Sequence, residues 1–170
     1  MRVIVTAASK HGSTSDIAQA IGSALAAHEI DADVWSIDAV ESLDGYDAVV
    51  LGSAVYMGHW LEPAKRFVQR HAHALRERPV WLFSSGPLGD PAKPEGSPAD
   101  AAAMSEATGA REHMVFPGSL DKHRLGIAER AMVAAVKAPE GDFRPWDEID
   151  AWADRIAAAL ATPSEVPVSL

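Results

Sequence analysis

The stretch VIVTAASKHGSTSDIAQAIGSAL, residues 3–25, decides the reading of this chain. Val3, Ile4 and Val5 are an apolar, β-branched run, as expected of a strand covered on both faces. Ser9, Lys10, His11, Gly12, Ser13 and Thr14 follow as a short polar loop with three hydroxyls and one glycine. Ile17, Ile21 and Leu25 then recur at the spacing of one helix face. A strand that feeds such a loop into a helix start makes an anion site. The first N–H groups of the helix have no internal acceptor, and hydroxyls can donate to phosphate oxygens. The same residues admit a second reading, since Ser13 followed three residues later by Asp16 fits a capping box that needs no ligand. Neither G-x-G-x-x-G nor G-x-x-x-x-G-K-[ST] occurs here, so a dinucleotide fold and a P-loop NTPase are unsupported.

Working outward, 170 residues suit a single domain with a real core, expected over 1–162 with a frayed tail at 163–170. A net charge of −9 argues against nucleic-acid or anionic-membrane binding. There are no cysteines, which excludes disulfides, thiolate metal sites and cysteine nucleophiles. No signal peptide and no apolar run long enough to span a bilayer is recognised, so a cytoplasmic protein without stable membrane insertion is expected.

A second, more exposed strand is expected at 33–37 and a central apolar strand at 48–54. Residues 55–60, VYMGHW, read as a loop, followed by a helix over 61–75. A buried strand covers 80–86, and a Gly- and Pro-rich loop follows it at 87–98. An alanine-rich helix ends near Gly109, and a fifth strand spans 113–116. Further helices are expected over 124–137 and after Pro145, the latter with Trp146, Ile149, Trp152, Ala153, Ile156 and Leu160 on its apolar face. Alternating strands and helices argue a parallel sheet with helices on both faces. Ligands of such sheets bind beyond the carboxyl ends of the strands, where strand order reverses. The loops after the first, third and fourth strands should therefore converge. Together they suit a planar aromatic ligand with a phosphate tail.

The loop SKHGST resembles the FMN phosphate loop of flavodoxins, usually Ser/Thr-x-Thr-Gly-x-Thr. Ser9, Gly12 and Thr14 match it, and His11 stands where a Thr is usual. Residues 52–67, GSAVYMGHWLEPAKRF, and 141–157, GDFRPWDEIDAWADRIA, resemble segments of the flavodoxin-domain family that includes the menaquinone-dependent protoporphyrinogen oxidases. The resemblance implies a flavodoxin-like α/β three-layer sandwich, strand order 2-1-3-4-5, bound FMN and redox chemistry. It implies cofactor contacts from Ser9, Lys10, His11, Gly12, Ser13 and Thr14. It extends them to Ala54, Val55, Tyr56, Met57, Gly58, His59 and Trp60, and to Ser85, Gly86, Pro87, Leu88 and Gly89. Partners would be a redox protein or a quinone, with a homodimer left open. Backbone N–H groups around 56–59 and 86–89 are expected at the polar edge of the ring. The loop after the fourth strand departs from the pattern, since residues 84–90 hold no Tyr or Trp to stack on a flavin.

Other readings remain beside these. Trp60 is equally a core staple, and Lys10 either balances a phosphate or is simply solvated. His71 and His73 lie two apart on a helix, so they face different ways and do not make a metal pair. A phosphoacceptor receiver needs acidic residues after the first strand and an Asp ending the third. Thr6-Ala7-Ala8 and Gly52-Ser53 stand there instead. A porphyrinogen oxidase-like enzyme and a cofactor-free interaction module remain as alternatives. The apolar surplus over 124–137 marks either deep burial or a surface for an apolar partner such as a quinone.

Overall fold

A computed structural model describes residues 1–86, 99–121, 123, 125–135 and 140–162. Its long strands are β1 (Arg2–Ala8), β2 (Asp31–Ser36), β3 (Ala48–Tyr56), β5 (Val80–Ser85) and β6 (Glu112–Phe116). Between them run α1 (Ser13–Ala27), α2 (Glu62–Arg76) and α3 (Ala101–Thr108). A two-residue strand β4 (His59–Trp60) follows β3. After β6 come β7 (Ser119–Leu120), α4 (Ile127–Ala135), β8 (Gly141–Asp142) and α5 (Trp146–Ala161).

The long strands lie in the order β2-β1-β3-β5-β6, every neighbouring pair parallel. Leaving out the inserted β4, this is the expected order 2-1-3-4-5, a flavodoxin-like α/β fold. The order reverses between β1 and β3, where α1 and α2 leave to opposite faces. The strand period of two explains how one chain fills both sides. Val3, Val5 and Ala7 pack with α1 and α5, while Ile4 and Ala8 join the cluster that includes Ala64, Phe67 and Val68 of α2. On α5 the buried residues Ile149, Trp152, Ala153, Ile156, Ala157 and Leu160 form one helical stripe. Trp152 meets Phe83 at 6.1 Å and Phe116 at 5.6 Å, both edge-on, which closes this face with aromatic contacts.

Four expectations change. The third strand continues to Tyr56 rather than ending at residue 54, because Val55 and Tyr56 pair with Trp60 and His59. Residues 55–60 are thus a hairpin, not an open loop. No capping box forms at α1. Its N-cap is Gly12 at φ 89° with no side-chain cap bond, and Asp16 pairs with Arg144 instead. Trp146 is 37% exposed, with the Arg144 guanidinium 4.6 Å from its ring centroid, and so lies off the core face of α5. On α4, Ile127 is 90% exposed and Ala128, Ala131, Ala134 and Ala135 are exposed too, so these residues are not deeply buried. The 87–98 loop and the 163–170 tail lie outside the described residues, as do Arg124, Val136 and Lys137 of the expected fourth helix. Among the described residues no helix is long and apolar enough to cross a membrane.

Gly52 of β3 stands opposite Phe83 of β5, and a Cβ at Gly52 would land on the Phe83 ring. Gly52→Ala should therefore overpack this site and destabilise the fold by about 1–3 kcal/mol. Urea unfolding of Gly52→Ala, Phe83→Leu and the double variant checks this. The double variant should lose less than the sum of the single losses, whereas additive losses would show that the two sites do not clash.

Candidate functional site

The carboxyl ends of β1, β3 and β5 lie side by side. Ala8 pairs with Ser53, and Ala54 pairs with Ser85. The loop after β1 is held by its own polar groups, since the Gly12 N–H donates to Ser9 Oγ at 3.1 Å. The left-handed Gly12 turns the chain into α1, whose first ladder bond runs from the Asp16 N–H to the Gly12 carbonyl at 3.0 Å. The N–H groups of Ser13, Thr14 and Ser15 precede that bond and have no acceptor in the helix ladder. Ser9 and Ser13 are half-buried. Each accepts a backbone N–H, Ser13 from Ser119 at 3.2 Å, and each keeps its own O–H as a donor. Thr14 is only 1% exposed, so its side chain packs beneath the loop.

The β3–β4 hairpin supplies a different surface. Tyr56 and His59 pair across a two-residue turn in which Met57 has φ 51° and Gly58 φ 80°, the type I′ signature. Glycine carries this conformation freely and Met57 does not, so the turn holds strain at an exposed residue. Met57 is 75% exposed, Tyr56 is half-buried and His59 is exposed. The hairpin is anchored by Asp100, which accepts the Trp60 N–H at 3.0 Å and lies 3.2 Å from His59 Nδ1. The Ala99 N–H donates to the Gly58 carbonyl at 2.9 Å. Trp60 itself is 2% exposed and its indole N–H donates to Ser84 Oγ at 2.8 Å. Its side chain belongs to the core, and what it fixes is the position of the hairpin.

At the end of β5, Ser85 is 5% exposed and Gly86 has φ 103°. A Cβ on Gly86 would sit 3.6 Å from the Val55 carbonyl oxygen, so the third and fourth long strands touch here. The Gly86 N–H donates to the Phe116 carbonyl at 2.8 Å and is thereby withdrawn from the ring edge expected of it. Pro87, Leu88 and Gly89 lie outside the described residues.

Charges gather around the first loop. Lys10 Nζ and His11 Nε2 each lie 2.6 Å from a different oxygen of Glu129 on α4. The hydrogen bond from Lys10 is the main cause that holds the Glu129 carboxyl below its usual range, and the reciprocal bond raises Lys10. On the other side, Arg144 donates to both oxygens of Asp142 at 2.8 and 2.7 Å and to Asp16 at 3.0 Å. These bonds lower Asp142, and they tie the start of α1 to β8. A cavity of about 300 Å³ lies beside the loop, lined by His11, Ser13, Ser119, Asp121, Asp142 and Arg144 among others. Sequence reasoning missed Asp100, Arg144 and the place of Glu129. Their partners lie 40, 128 and 118 residues away, and no local pattern carries that information.

His71 lies against Phe67, ring centroids 4.6 Å apart, while His73 is exposed beside Glu77. Among the described residues no group of three or more His, Cys, Asp or Glu could hold a metal ion.

Comparison with known proteins follows the same lines as the geometry. Over 86 residues the chain is 30% identical to a protoporphyrinogen IX dehydrogenase (quinone) of Escherichia coli, an alignment covering 49% of this chain and 48% of that protein. The chain thus spans about half the length of the curated relatives it matches. The structure of a flavodoxin from the domain Archaea superposes with a TM-score of 0.67 at 18% identity, covering 95% of this chain and all of that one. Oxidised flavodoxin 1 from Bacillus cereus gives 0.62 at 14% identity, covering 96% of this chain and all of that one. At those identities the likeness is one of fold. A family model described as a flavodoxin domain matches residues 4–145, and on that match the chain belongs to the flavodoxin domain family.

Proposed function

We propose that residues 1–162 form one FMN-binding domain and that the chain is a flavodoxin-like redox protein. The observation that carries this reading is a convergence. A hydroxyl-bearing helix start, a hairpin presenting Tyr56 and Met57, and the left-handed Gly86 meet at the carboxyl edge of the sheet where strand order reverses. The donor set fits a phosphate, with the Ser9 and Ser13 hydroxyls and the N–H groups of the first turn of α1 holding it. Tyr56 and Met57 border the ring. In a two-residue hairpin the N–H groups of Met57 and Gly58 are outside the ladder, and they are the ones left to meet its polar edge. When bound, FMN supplies the exchange of one or two electrons. The net charge of −9 opposes further negative charge on the ring and so lowers its potential.

A quinone is the electron acceptor favoured by α4. Ile127 is 90% exposed and continues into exposed Ala128 and Ala131, which is apolar surface beside the first loop. The Escherichia coli relative, matched along 48% of its length, bears quinone in its name. Oxidation of a porphyrinogen by this chain is the finer alternative, and an acceptor screen of the reduced protein separates it from simple electron carriage.

Purified protein soaked with flavin should retain FMN and not FAD, identified by mass after heat release. Ser9→Ala removes one donor to the phosphate and should weaken FMN binding by about 1.5–3 kcal/mol, tenfold or more, while leaving riboflavin binding nearly unchanged. Equal loss for both flavins would remove the phosphate assignment. A soluble menaquinone analogue should reoxidise the anaerobically reduced protein, and Ile127→Glu should slow that reaction several-fold without releasing FMN. Unchanged quinone kinetics in the FMN-loaded variant would end the role of α4 and leave a soluble carrier.

A further inference from the structure

Glu129 is the inward residue of an otherwise outward stretch. Its side chain is 17% exposed, whereas Ile127, Ala128, Arg130 and Ala131 are all exposed. Both of its oxygens are committed to the loop after β1, one to Lys10 and one to His11. A single carboxylate therefore holds the two side chains of that loop able to carry positive charge. Lys10 also reaches across to the hairpin, where its ammonium lies 4.5 Å from the centroid of the Tyr56 ring. Glu129, Lys10 and Tyr56 thus form a continuous chain of contacts from α4, over the loop, to the hairpin.

On the FMN reading above, these contacts lie on the same loop and the same hairpin that would meet the cofactor. An ammonium over the Tyr56 face occupies a surface on which an aromatic ring would stack. A carboxylate bound to the loop also repels an incoming phosphate, and it engages the Lys10 ammonium that would attract one. We propose that Glu129, Lys10 and Tyr56 are a latch by which α4 holds the loop after β1, so that the FMN phosphate and the Glu129 carboxylate compete for the same loop. The inference rests on the FMN reading above and adds its regulation. Entry of the cofactor breaks the Glu129 contacts, lifts Lys10 from Tyr56 and releases α4. Release of the cofactor restores them. No covalent step is involved.

Two measurements on the full chain test it. The first is hydrogen exchange of the ligand-free protein. Glu129→Gln should raise exchange of the α4 amides by about tenfold or more, since the charge holding the helix to the loop is gone. Unchanged exchange would overturn the latch whatever flavin does. The second is titration with FMN and with riboflavin, followed by flavin fluorescence. Glu129→Gln should bind FMN about tenfold more tightly and faster than the wild type, with a smaller gain for riboflavin, which brings no phosphate. Lys10→Ala, which clears the Tyr56 face, should raise the association rate of riboflavin. If Glu129→Gln instead weakens FMN binding, α4 clamps the bound cofactor and competition is refuted. Equal FMN affinity in wild type and variant refutes it as well. Failure of both proteins to bind any flavin would overturn the FMN reading itself, and the ligand-free exchange data then decide the latch alone.

Discussion

A sheet covered on both faces has only the ends of its strands left for chemistry, and that constraint governs this molecule. Val3, Val5 and Ala7 face one layer of helices, and Ile4 and Ala8 face the other. Slipping β1 by one residue would exchange every one of those side chains between two differently shaped packed layers, and such misfit costs about 1–3 kcal/mol per overpacked site. The register is fixed by that cost. Fixing it aligns Ala8, Ser53 and Ser84 at one edge, and the backbone soon after each must leave the sheet there. Gly12 and Gly86 each leave through a left-handed turn, and the β3 chain doubles back as a hairpin. The polar loop and the aromatic hairpin meet because the strands beneath them cannot shift.

The segment from β7 to β8 is the second layer of organisation. Its short antiparallel pair closes through Ser119 with Asp142 and Leu120 with Gly141. From that base Arg144 reaches Asp142 with two bonds and Asp16 with a third, while its side chain is only 12% exposed. Paired and partly desolvated guanidinium groups are strong positioners, because removing one partner strands the remaining charge. The first turn of α1, which would otherwise be held by its own cap, is thus held from outside. The absence of a capping bond at Gly12 and the presence of the Arg144 clamp are two sides of one arrangement. A capping side chain would also have consumed an N–H group that the loop now presents.

Much of the fold was legible in the sequence, since its signals are local. The apolar runs at 48–51 and 80–83, the helical stripe of α5 and the glycine ending α3 at Gly109, φ 66°, all show themselves within a dozen residues. Errors arose where a distant partner overrode a local preference. Ser13 and Asp16 have the spacing of a capping box, but Asp16 is taken by Arg144. Trp146 has the spacing of a core residue but serves as a platform for the same arginine. Met57-Gly58 was not legible as a hairpin turn, because methionine is a poor left-handed residue and the usual signal is Asn-Gly. The site was legible as a set of loops but not as a set of contacts. Glu129 on the loop after β1 and Asp100 under the hairpin depend wholly on chain closure.

Beneath the hairpin, one polar relay shows how such a site stays rigid without burying charge. The Ser84 hydroxyl lies 2.8 Å from the Trp60 indole nitrogen and 2.7 Å from His113 Nε2. The indole can only donate, so Ser84 accepts from it. Burial pushes His113 below its ordinary value, toward the neutral ring. A neutral imidazole that accepts at Nε2 lets Ser84 donate its own proton onward, with the imidazole proton on Nδ1. The direction then runs from Trp60 through Ser84 to His113, each donor met by one acceptor. An imidazolium in that position would force two donors onto the hydroxyl and bring an uncompensated charge below the hairpin. Desolvation thus favours the neutral ring, and in the tautomer protonated at Nδ1 every donor of the relay that anchors Trp60 is met. Trp60 in turn fixes where Tyr56 and Met57 stand above the sheet.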